Sequence, residues 1–251
     1  MLKELIARVK QGYNTTSFPA PDAAVGGRFR GAPQLDAAKC PPDCQKCAEV
    51  CPTGAISVAG GLSLDLGKCL FCPSCSGACG AWGIKFTGAV AMAANRREDL
   101  VVKDGGPKSA EPLPEDLRAL FAKSFKFRQV SAGGCNGCEA EIAAMGNIIF
   151  DLGRFGMGPV ASPRHADGLL VTGPVTQNMK LALEKTNDAT PDPKIVVAVG
   201  ACAISGGPYQ ELPEQTGGAD KTLPVTLYIP GCPPHPLTIL DGLLKMLGRG
   251  E

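Results

Sequence analysis

A two-part chain is expected: a C-terminal α/β part with a parallel sheet and helices on both faces, preceded by a smaller, cysteine-rich α+β part. Three observations predict it. Strand-like and helical runs alternate after about residue 115, two cysteine groups repeat within the first hundred residues, and a segment rich in Gly, Pro and charge lies between the two regions. The expected boundary divides the chain into residues 1–104 and 105–251.

The first element, MLKELIARVKQG over residues 1–12, sets Leu2, Leu5, Ile6 and Val9 on one helical face, with Lys3, Arg8 and Lys10 elsewhere and Gly12 as the stop. This amphipathic helix is expected to pack on a neighbouring subunit or domain rather than on a membrane, because its apolar face is short and its basic residues are few.

The cysteine repeat comes next. Cys44, Cys47 and Cys51 recur 28 positions later as Cys72, Cys75 and Cys79, and Cys40 recurs as Cys69. Behind each group stands a short strand-like stretch, Ala55-Ile56-Ser57-Val58 and Gly83-Ile84-Lys85-Phe86. A duplicated unit of this length is the plan of a bacterial dicluster ferredoxin-like α+β domain. The second run, Cys69-x2-Cys72-x2-Cys75-x3-Cys79, has the spacing in which three cysteines hold one cluster and the fourth reaches the other. The first run carries one extra residue before Cys44, and Gly80 stands where a proline usually follows the second run. The crossed pattern assigns Cys40, Cys44, Cys47 and Cys79 to one 4Fe-4S cluster and Cys69, Cys72, Cys75 and Cys51 to a second. Zinc in S4 coordination is the alternative, disfavoured because structural zinc sites use separated pairs rather than tight four-cysteine runs.

KDGGPKSAEPLP over residues 103–114 reads as a linker, and Pro114 with Glu115 and Asp116 opens a helix expected to run to about Phe125. Beyond it, strands are expected at Phe127 to Val130, Leu169 to Thr172, Ile195 to Gly200 and Thr226 to Ile229. Helices are expected at Glu139 to Phe150 and Gln177 to Asn187. Such alternation gives a flavodoxin-like parallel sheet. Cys135 and Cys138 follow the first of these strands, Cys202 follows IVVAVG and Cys232 follows LYIPG, so all four fall just beyond carboxyl ends of strands, where open α/β sheets bind ligands. Glycines around them let backbone approach a bulky inorganic core. Three clusters of four thiolates would use all twelve cysteines and leave none for nickel or for a nucleophile, so no catalytic residue is assigned to this chain.

Composition excludes several classes. Twenty-five Lys and Arg against 24 Asp and Glu leave a net charge of +1, so no global field draws the chain to nucleic acid. The longest apolar stretches, such as Ile195 to Ala203, are far short of a bilayer span, and no export signal opens the chain. A cytoplasmic location without disulfides is expected. Two histidines are too few for a hydrolytic zinc site.

GGCNGCEAEI at 133–142, SPRHADGLLVTGPVT at 162–176, VGACAISGGPY at 199–209 and YIPGCPP at 228–234 resemble the small subunit of formate hydrogenlyase-type, membrane-bound nickel-iron hydrogenases. The complex I subunit that carries the terminal cluster is related. There the first two cluster cysteines are normally adjacent, whereas Cys135 and Cys138 are two apart, which favours the hydrogenase branch. GYNTTSFP at 12–19 and FRGAP at 29–33 resemble the ferredoxin-type subunit of the same complexes, so the chain looks like a fusion of two subunits that are usually separate.

The resemblance implies an electron relay bound to a large catalytic subunit. Membrane-arm subunits would hold it peripheral to the inner membrane, and a formate dehydrogenase or a ferredoxin would donate electrons. The equivalent subunit of a complex I-like quinone oxidoreductase is the alternative, and a redox-inactive zinc scaffold the third. Among lesser candidates, Glu139 and Glu141 suit a helix start or proton movement, Arg164 and His165 suit pairing or tuning of the third cluster, and His235 suits a loop.

Overall fold

The computed structural model describes residues 2–19, 25–41, 43–80, 83–121 and 123–250. In the first part α1 (Leu2–Gln11), β1 (Pro33–Leu35), α2 (Lys46–Glu49), β2 (Ile56–Ser57), β3 (Ser63–Asp65), α3 (Ser74–Ala78), β4 (Ile84–Phe86) and β5 (Val101–Val102) follow in order. β1 pairs with β4, and β2, β3 and β5 form a second sheet, every pair antiparallel. The duplication is visible as α2 then β2, and α3 then β4. α1 matches the expected helix and ends at Gly12, whose φ of +66° suits glycine. Met1 lies outside the described residues, and none of the helix is buried.

In the second part α4 (Glu115–Phe121), β6 (Phe125–Ser131), α5 (Gly137–Ala144), β7 (Met157–Pro159), β8 (Gly168–Thr172), α6 (Gln177–Ala189), β9 (Ile195–Val199), α7 (Ala201–Ser205), β10 (Leu227–Ile229) and α8 (Pro236–Met246) follow. The five strands form one sheet, ordered β10-β9-β8-β6-β7, with all pairs parallel. Read from β7, this is the second-first-third-fourth-fifth order of the flavodoxin-like sheet, whose switch point lies between β6 and β8.

The pleat sorts the strand residues between two cores. Leu169, Val171, Val196 and Ala198 face one side, where Leu64, Leu66, Ile84 and Leu100 of the first part meet them together with Leu183 of α6. Leu170, Ile195, Val197 and Val199 face the other side, against Ile142 of α5 and Leu240, Leu243 and Leu244 of α8. One face of the main sheet is therefore covered largely by the cysteine-rich part. The two parts are also joined at the sheet edge, where Ala94 and Tyr228 exchange N–H···O bonds of 3.0 and 2.8 Å. The segment expected to be a linker is packed as well: Ala110 and Leu113 are buried with α8, and the Leu113 N–H donates to the Met246 carbonyl at 2.9 Å.

Two helices are shorter than expected. The helix from Glu115 ends at Phe121 because Phe125 is already the first residue of β6, fully buried against Phe121 and Phe127; Ala122 lies outside the described residues. α5 stops at Ala144, after which the Asn147 carboxamide oxygen accepts from the Ile149 and Phe150 N–H groups and turns the chain.

Candidate metal centres

All twelve cysteines are free thiols. The first group gathers around the start of α2. A 3-10 turn, Ala37–Lys39, delivers Cys40; Cys47 sits on α2; and Cys79, from the second run, ends α3. Burial and then the neighbouring Cys79 and Cys44 push the Cys40 thiol up, and burial followed by Cys79 does the same for Cys47. Gly83 leaves room for this group, since a Cβ there would stand 3.1 Å from the Cys40 sulfur and 3.8 Å from that of Cys79.

The second group holds Cys69, Cys72 and Cys75 with Cys51, which follows α2. Burial pushes the Cys69 thiol up to about 12, with Cys75, Cys51 and Cys72 adding repulsion, and Cys75 up to about 11 by burial, Cys72 and Cys51 among others. Backbone N–H groups aim at two of these sulfurs: Phe71 at Cys69 (3.3 Å) and Ala55 at Cys51 (3.2 Å). Cys51 and Cys79 thus each neighbour the other run's cysteines.

The third group stands at the carboxyl edge of the main sheet. The loop after β6 presents Cys135, the first turn of α5 presents Cys138, α7 after β9 presents Cys202, and Cys232 follows β10. Burial, then Cys202, Glu139, Cys232 and Cys135, push the Cys138 thiol far up; burial, then Cys232 and Cys135, push Cys202 up to about 12. The backbone comes unusually close. A Cβ on Gly200, at φ +90°, would lie 2.5 Å from the Cys138 sulfur, and one on Gly207 would lie 2.9 Å from that of Cys202. Cys135 and Cys232 are exposed, so this group opens to the surface.

In each group the thiols repel one another as thiolates, so ionising four together requires a strongly positive core between them. Among the described residues, no three His, Cys, Asp or Glu side chains close on the geometry of a single ion. The donor set, the glycine clearances and the N–H groups aimed at sulfur fit an iron-sulfur core.

Glu139 has a more particular setting than a helix start. Ser131 at the end of β6 and Thr172 at the end of β8 both donate to its Oε1, each at 2.7 Å. Burial works to raise this carboxyl, but the two hydroxyl bonds outweigh it and hold it below the ordinary range. Glu141 receives no such help, and burial raises it. Arg164 and His165 do not reach the third group. They lie exposed in the turn before β8, at the register of Phe127, toward the amino-terminal edge of the sheet and away from its cysteines. His235 is no loose loop residue: its Nδ1 accepts from the Leu237 N–H at 3.1 Å and caps α8, and its ring lies against Phe29 and Phe150.

Comparison with known proteins places the second part of the chain in a family. Residues 135–246, which contain the whole third group, match the family described as NADH ubiquinone oxidoreductase, 20 Kd subunit. Formate hydrogenlyase subunit 7 of Escherichia coli is 43% identical over 159 residues, covering 58% of this chain and 62% of its own length. A protein of Pyrococcus furiosus named as membrane-bound hydrogenase subunit mbhJ is 47% identical over 142 residues, 57% of this chain and 85% of that one. An NADH-quinone oxidoreductase subunit of Phocaeicola vulgatus is 46% identical over 146 residues, 58% and 73% of the two chains. With four cysteines at the carboxyl edge of the sheet and identities of this size over most of two such relatives, the chain belongs to the family of the 20 Kd subunit of NADH ubiquinone oxidoreductase.

Proposed function

We propose that this chain is the electron-relay subunit of a hydrogenase- or complex I-type oxidoreductase, carrying three 4Fe-4S clusters on its twelve cysteines. The observation that carries the reading is the resolution of those cysteines into three groups of four, with Cys51 and Cys79 exchanged between the first two. When bound, such clusters supply one-electron transfer at low potential.

The chain's own residues hold and order the sites. Cys40, Cys44, Cys47 and Cys79 ligate the first, Cys51, Cys69, Cys72 and Cys75 the second, and Cys135, Cys138, Cys202 and Cys232 the third. After burial and Cys135, the next group raising the Cys232 thiol is Cys72 of the other part. The second site therefore adjoins the third, and the first is the outer end of the line. At the inner end, exposed Cys135 and Cys232 leave the third site open unless a partner covers it. A large catalytic subunit is the partner that fits, with membrane-arm subunits attached through it and a low-potential donor such as a ferredoxin or a formate dehydrogenase at the outer end. No helix among the described residues is long and apolar enough to cross a membrane, so membrane association would come through such partners.

A nickel-iron partner is favoured by the two-residue gap between Cys135 and Cys138 and by the hydrogenlyase and hydrogenase relatives. A quinone-reducing partner is the second reading, favoured by the family match and by the NADH-quinone oxidoreductase relative. Mass spectrometry of the co-purified large subunit separates them, through presence or absence of paired C-x-x-C nickel ligands.

The relay role is tested by Cys202→Ala in the assembled complex, with its integrity checked by gel filtration. Dye-coupled hydrogen oxidation should be lost, because electrons must leave through the third site. Hydrogen-deuterium exchange at the partner's metal centre, which needs only bond cleavage and protons, should persist in part. Unchanged coupled activity in the intact complex contradicts the relay.

A further inference from the structure

Within FRGAP, Ala32 and Pro33 belong to the core and to β1, but Phe29 and Arg30 serve neither the core nor cluster ligation and stand at the junction between the second and third cysteine groups. Gly31 is pressed so closely on the 87–89 segment that a Cβ would stand 2.1 Å from the Ala89 carbonyl oxygen, and its N–H donates to Thr87 at 2.7 Å. Its two preceding neighbours reach across to the other elements. Phe29 rests on the His235 ring with centroids 5.1 Å apart. Arg30 donates from Nε to the Phe71 carbonyl at 2.5 Å.

Phe71 is an unusual recipient. It lies between Cys69 and Cys72 with φ +53°, a left-handed conformation that is strained for a bulky residue. Its ring is set against Phe86, and its N–H points at the Cys69 sulfur. Arg30 thus bonds the acceptor side of the residue whose donor side serves a candidate ligand sulfur. A cavity of about 180 Å³ beside it is lined by Arg30, Phe71, Cys232 and His235, so the guanidinium stands where the two parts' cysteine groups approach each other.

We propose that Arg30 is a positioning residue for the second site, locking the Phe71 turn so that its N–H bonds the Cys69 sulfur, and placing a positive charge between the second and third sites. Both effects favour the reduced state of the second site, since a hydrogen bond to a ligand sulfur and a nearby cation each stabilise added negative charge. The same bond polarises the Phe71–Cys72 peptide, whose N–H belongs to the candidate ligand Cys72, so the arginine acts on the site through that peptide as well as through space.

This inference rests on the cluster reading above, and the test separates the two. The full chain is purified anaerobically as wild type, Arg30→Gln and Arg30→Lys, with iron content measured and each ferredoxin-part signal titrated by electron paramagnetic resonance. The glutamine variant keeps an amide donor and loses the charge. It should reduce less readily at the second site, with roughly a tenfold fall in the reduced-to-oxidised ratio at the wild-type midpoint, or ~59 mV for one electron. The first site should not move. The lysine variant should stay near wild type. Equal midpoints in all three proteins, or equal displacement of both ferredoxin-part signals, overturns the assignment. If Arg30→Gln loses iron from the second site, Arg30→Lys decides: full iron and a native midpoint support the role of the charge, and loss there as well overturns it. A wild-type chain without clusters refutes the underlying reading instead.

Discussion

Cys51 and Cys79 end their own cysteine runs, yet each stands beside the other run's thiols: Cys79 raises Cys40 and Cys47, and Cys51 raises Cys69 and Cys75. A crossed pair has a sharp consequence for mutagenesis. Cys51→Ala should remove or convert the cluster that also uses Cys69, Cys72 and Cys75, and Cys79→Ala the one that uses Cys40, Cys44 and Cys47, each sparing the other. Spectroscopy of the two variants checks this, and the reverse assignment of losses contradicts it. The candidate ligands were legible in the sequence because metal chemistry fixes their spacing. Arg30 was not, because its meaning lies in a bond to a carbonyl 41 residues away. Glu139 was only half legible: its place near a helix start is a local property, but its anchoring by Ser131 and Thr172 depends on two adjacent strands ending side by side.

At the scale of elements, strands β8, β9 and β10 could be read as apolar runs because both their faces are buried, whereas β6 shows through the alternation of Phe125, Phe127 and Val130 with half-buried polar residues. β7 was missed because Met157–Pro159 is three residues with Gly and Pro among them, and it is a strand only through its pairing with β6. α8 was missed for the opposite reason. Leu237, Thr238, Ile239 and Leu240 are all buried, so the helix has no amphipathic period to detect at its start. The Ala94–Tyr228 bridge is equally invisible in sequence, and it extends the main sheet with a residue of the cysteine-rich part. Ala94→Pro removes the N–H donor to Tyr228 and should cost about 1 kcal/mol or more. Limited proteolysis should then cut faster between residues 95 and 110, while wild-type protection in the variant would show that the edge bond does not hold the parts together.

Across the whole molecule, the two parts behave as one packed body: a single apolar cluster runs from Leu64 and Ile84 to Val171 and Ala198, and after burial and Cys135 it is Cys72 of the first part that raises the Cys232 thiol. This continuity joins in one chain two parts that the resemblance implies are usually separate subunits. The uncovered apolar face of α1, with Leu2, Leu5 and Val9 exposed, lies outside this body.

The central claim is that twelve thiols hold three four-iron centres in one chain, and metal and sulfide analysis of the anaerobically purified protein tests it most directly. The account predicts a brown protein with about 12 iron atoms and about as many acid-labile sulfides per chain. A colourless protein holding zinc, or one with iron for fewer than three centres after full anaerobic reconstitution, would contradict it.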